Sequence, residues 1–262
     1  MRRRPLDLIA FDGDDTLWHN ERSYREARDR FRQLLNRAGV ALSSEEIESC
    51  VNRTEEANLP YYGYGVSSFV LSLAETAIDL TDGRISGVDL RGLIELAKHM
   101  LTEEIEVFPG AQQTLAALAA SCPLMLITKG DLLHQRSKLE RSGLAGCFRF
   151  VEVVSHKTAD VYTSILSRHG IAADRFLMVG NSVRSDILPV IEAGGWAVHI
   201  PAVVSWSHEH ASIPSRASTR FVEVPALAHL GDAIRRLVRT SPSRRAAPAS
   251  GRRPPAAGSR RS

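Results

Sequence analysis

Cysteine is scarce. Cys50, Cys122 and Cys147 are three among 262 residues, an odd number at no metal-like spacing. They build no disulfide framework and fit a reducing, cytoplasmic setting. Long hydrophobic runs are missing too. No stretch approaches the roughly 18 apolar residues of a membrane-spanning helix. The start, Met1 to Pro5, is basic, as a signal peptide begins, but Asp7, Asp12, Asp14 and Asp15 interrupt any apolar region behind it. No secretory leader is therefore expected. No glycine-rich dinucleotide loop occurs, and Gly180-Asn181-Ser182 is far from GxGxxG. Lysine is rare as well: Lys98, Lys129, Lys138 and Lys157 are all of it, and arginine supplies the rest of the 33 basic side chains.

What is present is ordinary for a globular chain of one or two domains: 44% hydrophobic and 24% charged residues. The net charge of +3 misleads, because residues 240–262 carry six arginines and no acid. Without that segment the body is mildly acidic. Its Ser, Pro, Ala, Gly and paired arginines bury too little apolar surface to offset ordering entropy, so 240–262 reads as a disordered basic tail. Such a tail is either a solvated end or an electrostatic arm for nucleic acid.

Leu6 to Phe11 is a short apolar run that ends at Asp12, a strand pattern. From Asn20 to Ala38 the apolar period becomes helical, and Gly39 stops it. Ser43 with Glu46 three residues on marks another helix start. Further helical stripes follow at 66–78 and 90–101. Residues 19–104 thus read as a helical block without a strand. After Phe108-Pro109-Gly110 the rhythm alternates. Strands are expected at 123–128, 148–154, 176–180 and 196–201, with helices at 110–120, 131–142, 158–169 and 184–193. Thr219 to Val222 reads as an edge strand. Continuous apolar strands alternating with helices indicate a parallel sheet covered on both faces. The N-terminal strand needs a partner and is expected to join it, which makes the helical block an insertion.

Ligands of such sheets bind beyond the carboxyl ends of the strands. Those ends carry Asp12-Gly13-Asp14-Asp15-Thr16, then Thr128-Lys129-Gly130, then Lys157, then Gly180-Asn181 followed by Asp186. Carboxylates, an amide and a lysine make a hard-oxygen site suited to Mg²⁺. A carboxylate can also serve as a covalent nucleophile in phosphoryl transfer.

In these residues the chain resembles the haloacid dehalogenase superfamily, in its phosphatase branch with a helical cap between the first and second motifs. The first motif, DxDxT after a strand, is met by Asp12 to Thr16. The second is met by Thr128, the third by Lys157, and the fourth in part by Gly180-Asn181 and Asp186. The resemblance covers residues 5–205. It implies a Rossmann-like α/β core at 1–18 and 105–239 and an inserted all-helical cap at 19–104. It implies Mg²⁺-dependent hydrolysis of a small phosphorylated metabolite, with Asp12 as nucleophile and Asp14 as general acid and base. Thr128 and Lys157 would bind the phosphoryl group, helped by Gly13, Thr16, Lys129 and Gly130. Asp12, Asp14 through its carbonyl, Asn181 and Asp186 would hold Mg²⁺. Many relatives carry Asp where Asn181 stands, so weaker metal binding is expected.

Rival readings stay open. A phosphomutase would use the same nucleophile. A dehalogenase would need neither Asp14 nor Mg²⁺. A binding protein would act through the arginine tail. Trp18 to Glu21 is either a substrate-contacting hinge or a packing segment with Asn20 as helix cap. Tyr61 to Tyr64 is a surface loop that can also serve as a lid. Arg53 is a candidate anion contact, and Lys129 reads as solvent-facing. Trp206, His208, Glu209 and His210 read as a polar loop rather than a second metal site. The expected assembly is a monomer or homodimer.

Overall fold

The computed structural model describes residues 6–202 and 220–240. The readings made for Trp206 to His210 and for the tail from residue 241 lie outside these residues. Six strands form one sheet: β1 (Leu8–Phe11), β2 (Leu124–Lys129), β3 (Phe150–Val154), β4 (Phe176–Gly180), β5 (Trp196–His199) and β6 (Phe221–Glu223). Their order is β3-β2-β1-β4-β5-β6, and every pairing is parallel. The N-terminal strand is therefore central, between β2 and β4. The chain reverses direction across the sheet beside it, which opens a crevice at its carboxyl end.

Alternation along the strands explains the layers. Leu8 and Ala10 point to one face with Met125, Ile127 and Met178, under Tyr162 and Ile165 of α7 (Ala159–Arg168). Ile9 and Phe11 point to the other face with Leu124, Leu126, Leu177 and Val179. There α5 (Ala111–Ala119) contributes Leu115, and α9 (Leu230–Thr240) contributes Leu230 and Ala233. Each fully buried Leu, Ile or Phe stabilises by about 1.5–3 kcal/mol, so both faces need their helices.

Between β1 and β2 run α1 (Glu21–Arg37), α2 (Ser44–Tyr62), α3 (Val66–Leu80) and α4 (Gly87–Thr102). They enclose an apolar cluster of their own around Phe31, Leu35, Phe69, Leu73 and Met100. Helix α2 starts as read, with a capping box: Glu46 N donates to Ser43 Oγ, and Glu46 Oε2 accepts from Ser43 N. Of the two alternatives for Trp18 to Glu21, the one with Asn20 as helix cap is not met, because its side chain caps nothing. Asp15 does that work. Its Oδ1 accepts from Asn20 N at 2.9 Å and Glu21 N at 3.1 Å. The chain leaves the sheet and returns side by side, with Trp18 bridging Val107 and His19 N donating to Glu106 O. No helix of the described residues is long and apolar enough to cross a membrane.

Candidate active site

Asp12 extends β1 by one residue, its N–H donating to Val179 O at 2.9 Å. The next residues fold back sharply. Thr16 N and Leu17 N both donate to Gly13 O, and Asp15 takes φ +57°. A left-handed Asp is uncommon, and such strain collects at functional loops. Gly13 is required here, since a Cβ would lie 2.6 Å from Trp18 Cζ2.

Lys157, which follows β3, is almost wholly buried. Its Nζ donates to Asp12 Oδ1 at 2.5 Å and to Asp186 Oδ1 at 2.7 Å. Burial, the largest influence, pushes Asp12 up to about 7; Lys157 opposes this and Asp186 adds to it. Burial alone would depress Lys157, but Asp12 and Asp186 hold it above the usual lysine range. Two carboxylates thus share one cation, and negative charge is left over.

Asp186 sits in a π-helical turn, Val183–Ile187, that leads into α8 (Leu188–Glu192). Periodicity had read this stretch as plain helix. The turn aims Asp186 back at the β4 end, where its Oδ2 accepts from Ser182 N at 3.1 Å. Gly180 makes room, because a Cβ there would stand 2.2 Å from that oxygen. Thr16 Oγ1 lies 3.1 Å from Asp12 Oδ2 and 3.3 Å from Asn181 Oδ1. His199 backs the loop, with Nε2 2.9 Å from Asn181 O and Nδ1 2.9 Å from Glu223 Oε2.

Asp14 turns towards α6 (Leu132–Arg141). It accepts from Lys138 Nζ at 2.8 Å, Gln135 Nε2 at 2.9 Å and Trp18 Nε1 at 2.6 Å. Burial works against ionisation, but Lys138 and these hydrogen bonds hold Asp14 below the usual carboxylate range. Lys138 and Gln135 escaped the sequence reading. Their spacing of three on one helix was the available signal.

A cavity of about 160 Å³ joins these groups. Asp12, Asp14, Thr128, Lys157, Asn181 and Asp186 line it, as do Lys129 and Gly130. Lys129 is not simply solvent-facing. Its Nζ donates to Ser185 Oγ at 3.0 Å and lies 4.3 Å from the Tyr64 ring centre. Helix α1 adds Glu21, which the hinge alternative for Trp18 to Glu21 had included, together with Tyr24 and Arg28, which the sequence reading missed. Arg53 stands apart. It is exposed, donates to Cys50 Sγ and borders a groove on the surface of the helical block.

Among the described residues, no group of three His, Cys, Asp or Glu is placed to hold a metal by itself. Mg²⁺ asks for less, typically one or two carboxylates with waters and substrate oxygens. Asp12 and Asp186, with unmet negative charge and the Asn181 amide beside them, fit that requirement.

Fold and site together describe an α/β protein that gathers buried acids and a lysine at the carboxyl ends of parallel strands. A model of the haloacid dehalogenase-like hydrolases matches residues 6–194, and the chain belongs to that family. A haloacid dehalogenase-like hydrolase from Xanthomonas campestris shares 36% identity and a TM-score of 0.79, over 91% of this chain and 97% of its own. The pyrimidine 5'-nucleotidase YjjG of Escherichia coli is 24% identical over 200 residues, 72% of this chain and 83% of the relative. The putative hydrolase YfnB of Bacillus subtilis, solved bound to magnesium, has 17% identity and a TM-score of 0.62, over 88% of this chain and 100% of its own. At that identity the likeness speaks for the fold alone.

Proposed function

We propose that the protein hydrolyses a small phosphomonoester with Mg²⁺ through an aspartyl-phosphate on Asp12. The observation that carries this reading is Lys157 held between Asp12 and Asp186 at the end of the central strand, with Asp14 on the same cavity. The nucleotidase activity in the name of YjjG supports it.

An Asp12 carboxylate oxygen attacks phosphorus, and the bond to the leaving oxygen breaks. Asp14, in its protonated form, gives that oxygen a proton. Water then attacks phosphorus as Asp14 takes its proton, the bond from phosphorus to Asp12 breaks, and inorganic phosphate leaves with the Asp12 carboxylate restored. Its three donors already favour the ionised form that this second step needs. Thr128 and Lys129 stand on the cavity wall where phosphoryl oxygens would lie, and Lys157 offsets charge on Asp12 and phosphate. Asp12, Asp186, Asn181 and the Asp14 carbonyl would hold Mg²⁺, which supplies charge stabilisation to the phosphoryl group. Residues 19–104 act as a cap that supplies the wall facing the leaving group.

The test is phosphate release from p-nitrophenyl phosphate and a panel of phosphomonoesters, with Mg²⁺ or with chelator. Turnover is expected with Mg²⁺ only. Asp12→Asn should abolish it, and Asp14→Asn should lower it about 10²–10⁴-fold. Equal turnover in wild type and folded Asp12→Asn would sink the mechanism.

A further inference from the structure

The cavity has two walls of different chemistry. The strand-end wall carries the proposed phosphate groups. The wall from α1 carries Glu21, Tyr24 and Arg28. Arg28 is buried, yet it brings little positive charge into the cavity. Its Nε lies 3.2 Å from Glu48, its Nη2 is hydrogen-bonded to Glu55, and its Nη1 is 4.0 Å from Glu21. One guanidinium thus faces three carboxylates. Glu21 is the least well served, since that 4.0 Å contact is its side chain's nearest cation and no donor of the described residues hydrogen-bonds its carboxylate.

Two more groups on this wall are short of partners. The Tyr24 hydroxyl has no hydrogen bond among the described residues; its ring packs on Phe69, with centroids 4.9 Å apart. Asn20 Oδ1 accepts from Lys138 Nζ at 2.6 Å, and its amide N–H groups have no acceptor among the described residues. Burial pushes Glu21 up to about 7, against Arg28 and with help from Asp15 and Glu55. That is the mark of a carboxylate in want of donors. Lys129 also lines the cavity, but it stands on the strand-end wall beside Ser185.

We infer that Glu21 and Tyr24 select the leaving group: the substrate is the phosphomonoester of a polyol or amino alcohol, and esters whose leaving group carries a carboxylate or second phosphate are rejected. The inference rests on the phosphatase reading above. A hydroxyl or ammonium group donates to Glu21 and fills its missing hydrogen bond. An anionic leaving group meets Glu21 in a low-dielectric wall whose cation, Arg28, already faces three carboxylates, and like charges there repel.

The experiment compares kcat/KM for glycerol 3-phosphate, phosphoethanolamine and phosphoglycolate at pH 8 with Mg²⁺, in the full-length protein. The first two should exceed phosphoglycolate by about tenfold or more. Glu21→Gln should close most of that gap, because one hydrogen bond or repulsion at a charged group is worth about 10–100-fold. Tyr24→Phe, which removes one oxygen and keeps the packing, should lower the two donor-bearing esters severalfold. Phosphoglycolate hydrolysed as well as the other two by wild type would overturn the inference. So would an unchanged ratio in both variants with wild-type circular dichroism. In either case, Asp12-dependent turnover of p-nitrophenyl phosphate would leave the phosphatase reading standing. If no ester is hydrolysed, p-nitrophenyl phosphate included, that reading falls and takes this one with it.

Discussion

Lys138 shows how one side chain reaches the chemistry without touching the cavity. It lies under the wall, 5% exposed, and ties Asp14 to Asn20. Together with Gln135 and Trp18 it fixes both oxygens of Asp14. Lys138→Met removes two charge-assisted bonds, to Asp14 and to Asn20, each worth about 1.5–3 kcal/mol. It should lower kcat about 10-fold or more and change KM little, because no cavity group is lost. Phosphate release with p-nitrophenyl phosphate checks this, and an equal loss in KM would assign Lys138 to binding instead. Legibility at this scale divides by where a residue stands. Asp12, Thr128, Lys157 and Asp186 were readable because parallel strands bring their carboxyl ends to one edge whatever the helices do. Lys138, Gln135 and Tyr24 were not, because their use depends on how far α1 and α6 rotate towards that edge. Only packing sets that rotation. The capping alternative for Asn20 fails for a related reason: its polar side chain suits a helix cap, but Lys138 holds it and Asp15 reaches the free N–H groups first.

Among the elements, the strand-to-helix joint after β4 asks most of its backbone. Five residues, Val183–Ile187, wind as a π turn, and this swings Asp186 under Gly180. Apolar spacing cannot separate that turn from an α-helix, so the reading of 184–193 placed the element and missed its geometry. Helix α9 went unread and takes in Thr240, the first residue read as tail, but elsewhere the periods sufficed. The strand at 176–180 and the Ser43 helix start stand where the pattern put them, because burial and capping are local. Gly180→Ala is the direct probe of the joint. Its Cβ would fall 2.2 Å from Asp186 Oδ2, so Asp186 must move and Lys157 loses one of its two acceptors. Overpacking of this kind costs about 1–3 kcal/mol. A lower melting temperature is expected, together with a loss of turnover larger than the loss of folded protein explains. Wild-type turnover at a lower melting temperature would show that the position of Asp186 is not critical.

At the scale of the whole molecule, the helical block and the sheet meet over the cavity at a small contact. Tyr64, from the loop between α2 and α3, sets its ring 4.3 Å from Lys129 Nζ and 5.9 Å from the His156 ring. Gly65 follows at φ +132°, and a Cβ there would stand 3.4 Å from Asp131 N. The loop therefore lies close against the turn after β2. The sequence marked these aromatics as a surface loop that can serve as a lid. The structure divides them, with Tyr61 at 80% exposure and Tyr64 on the site. A sequence does not reveal such a contact, because it joins residues that two separate apolar clusters bring together. A cation over an aromatic face contributes about 0.5–2 kcal/mol, more as water is excluded. Tyr64→Ala should therefore raise KM roughly 2- to 30-fold across the ester panel while Mg²⁺ binding, read by calorimetry, stays as in wild type. Tyr64→Phe keeps the ring and should restore most of the affinity. If Phe fails as Ala does, the hydroxyl matters rather than the ring, and the contact between block and sheet does not hold the substrate in place.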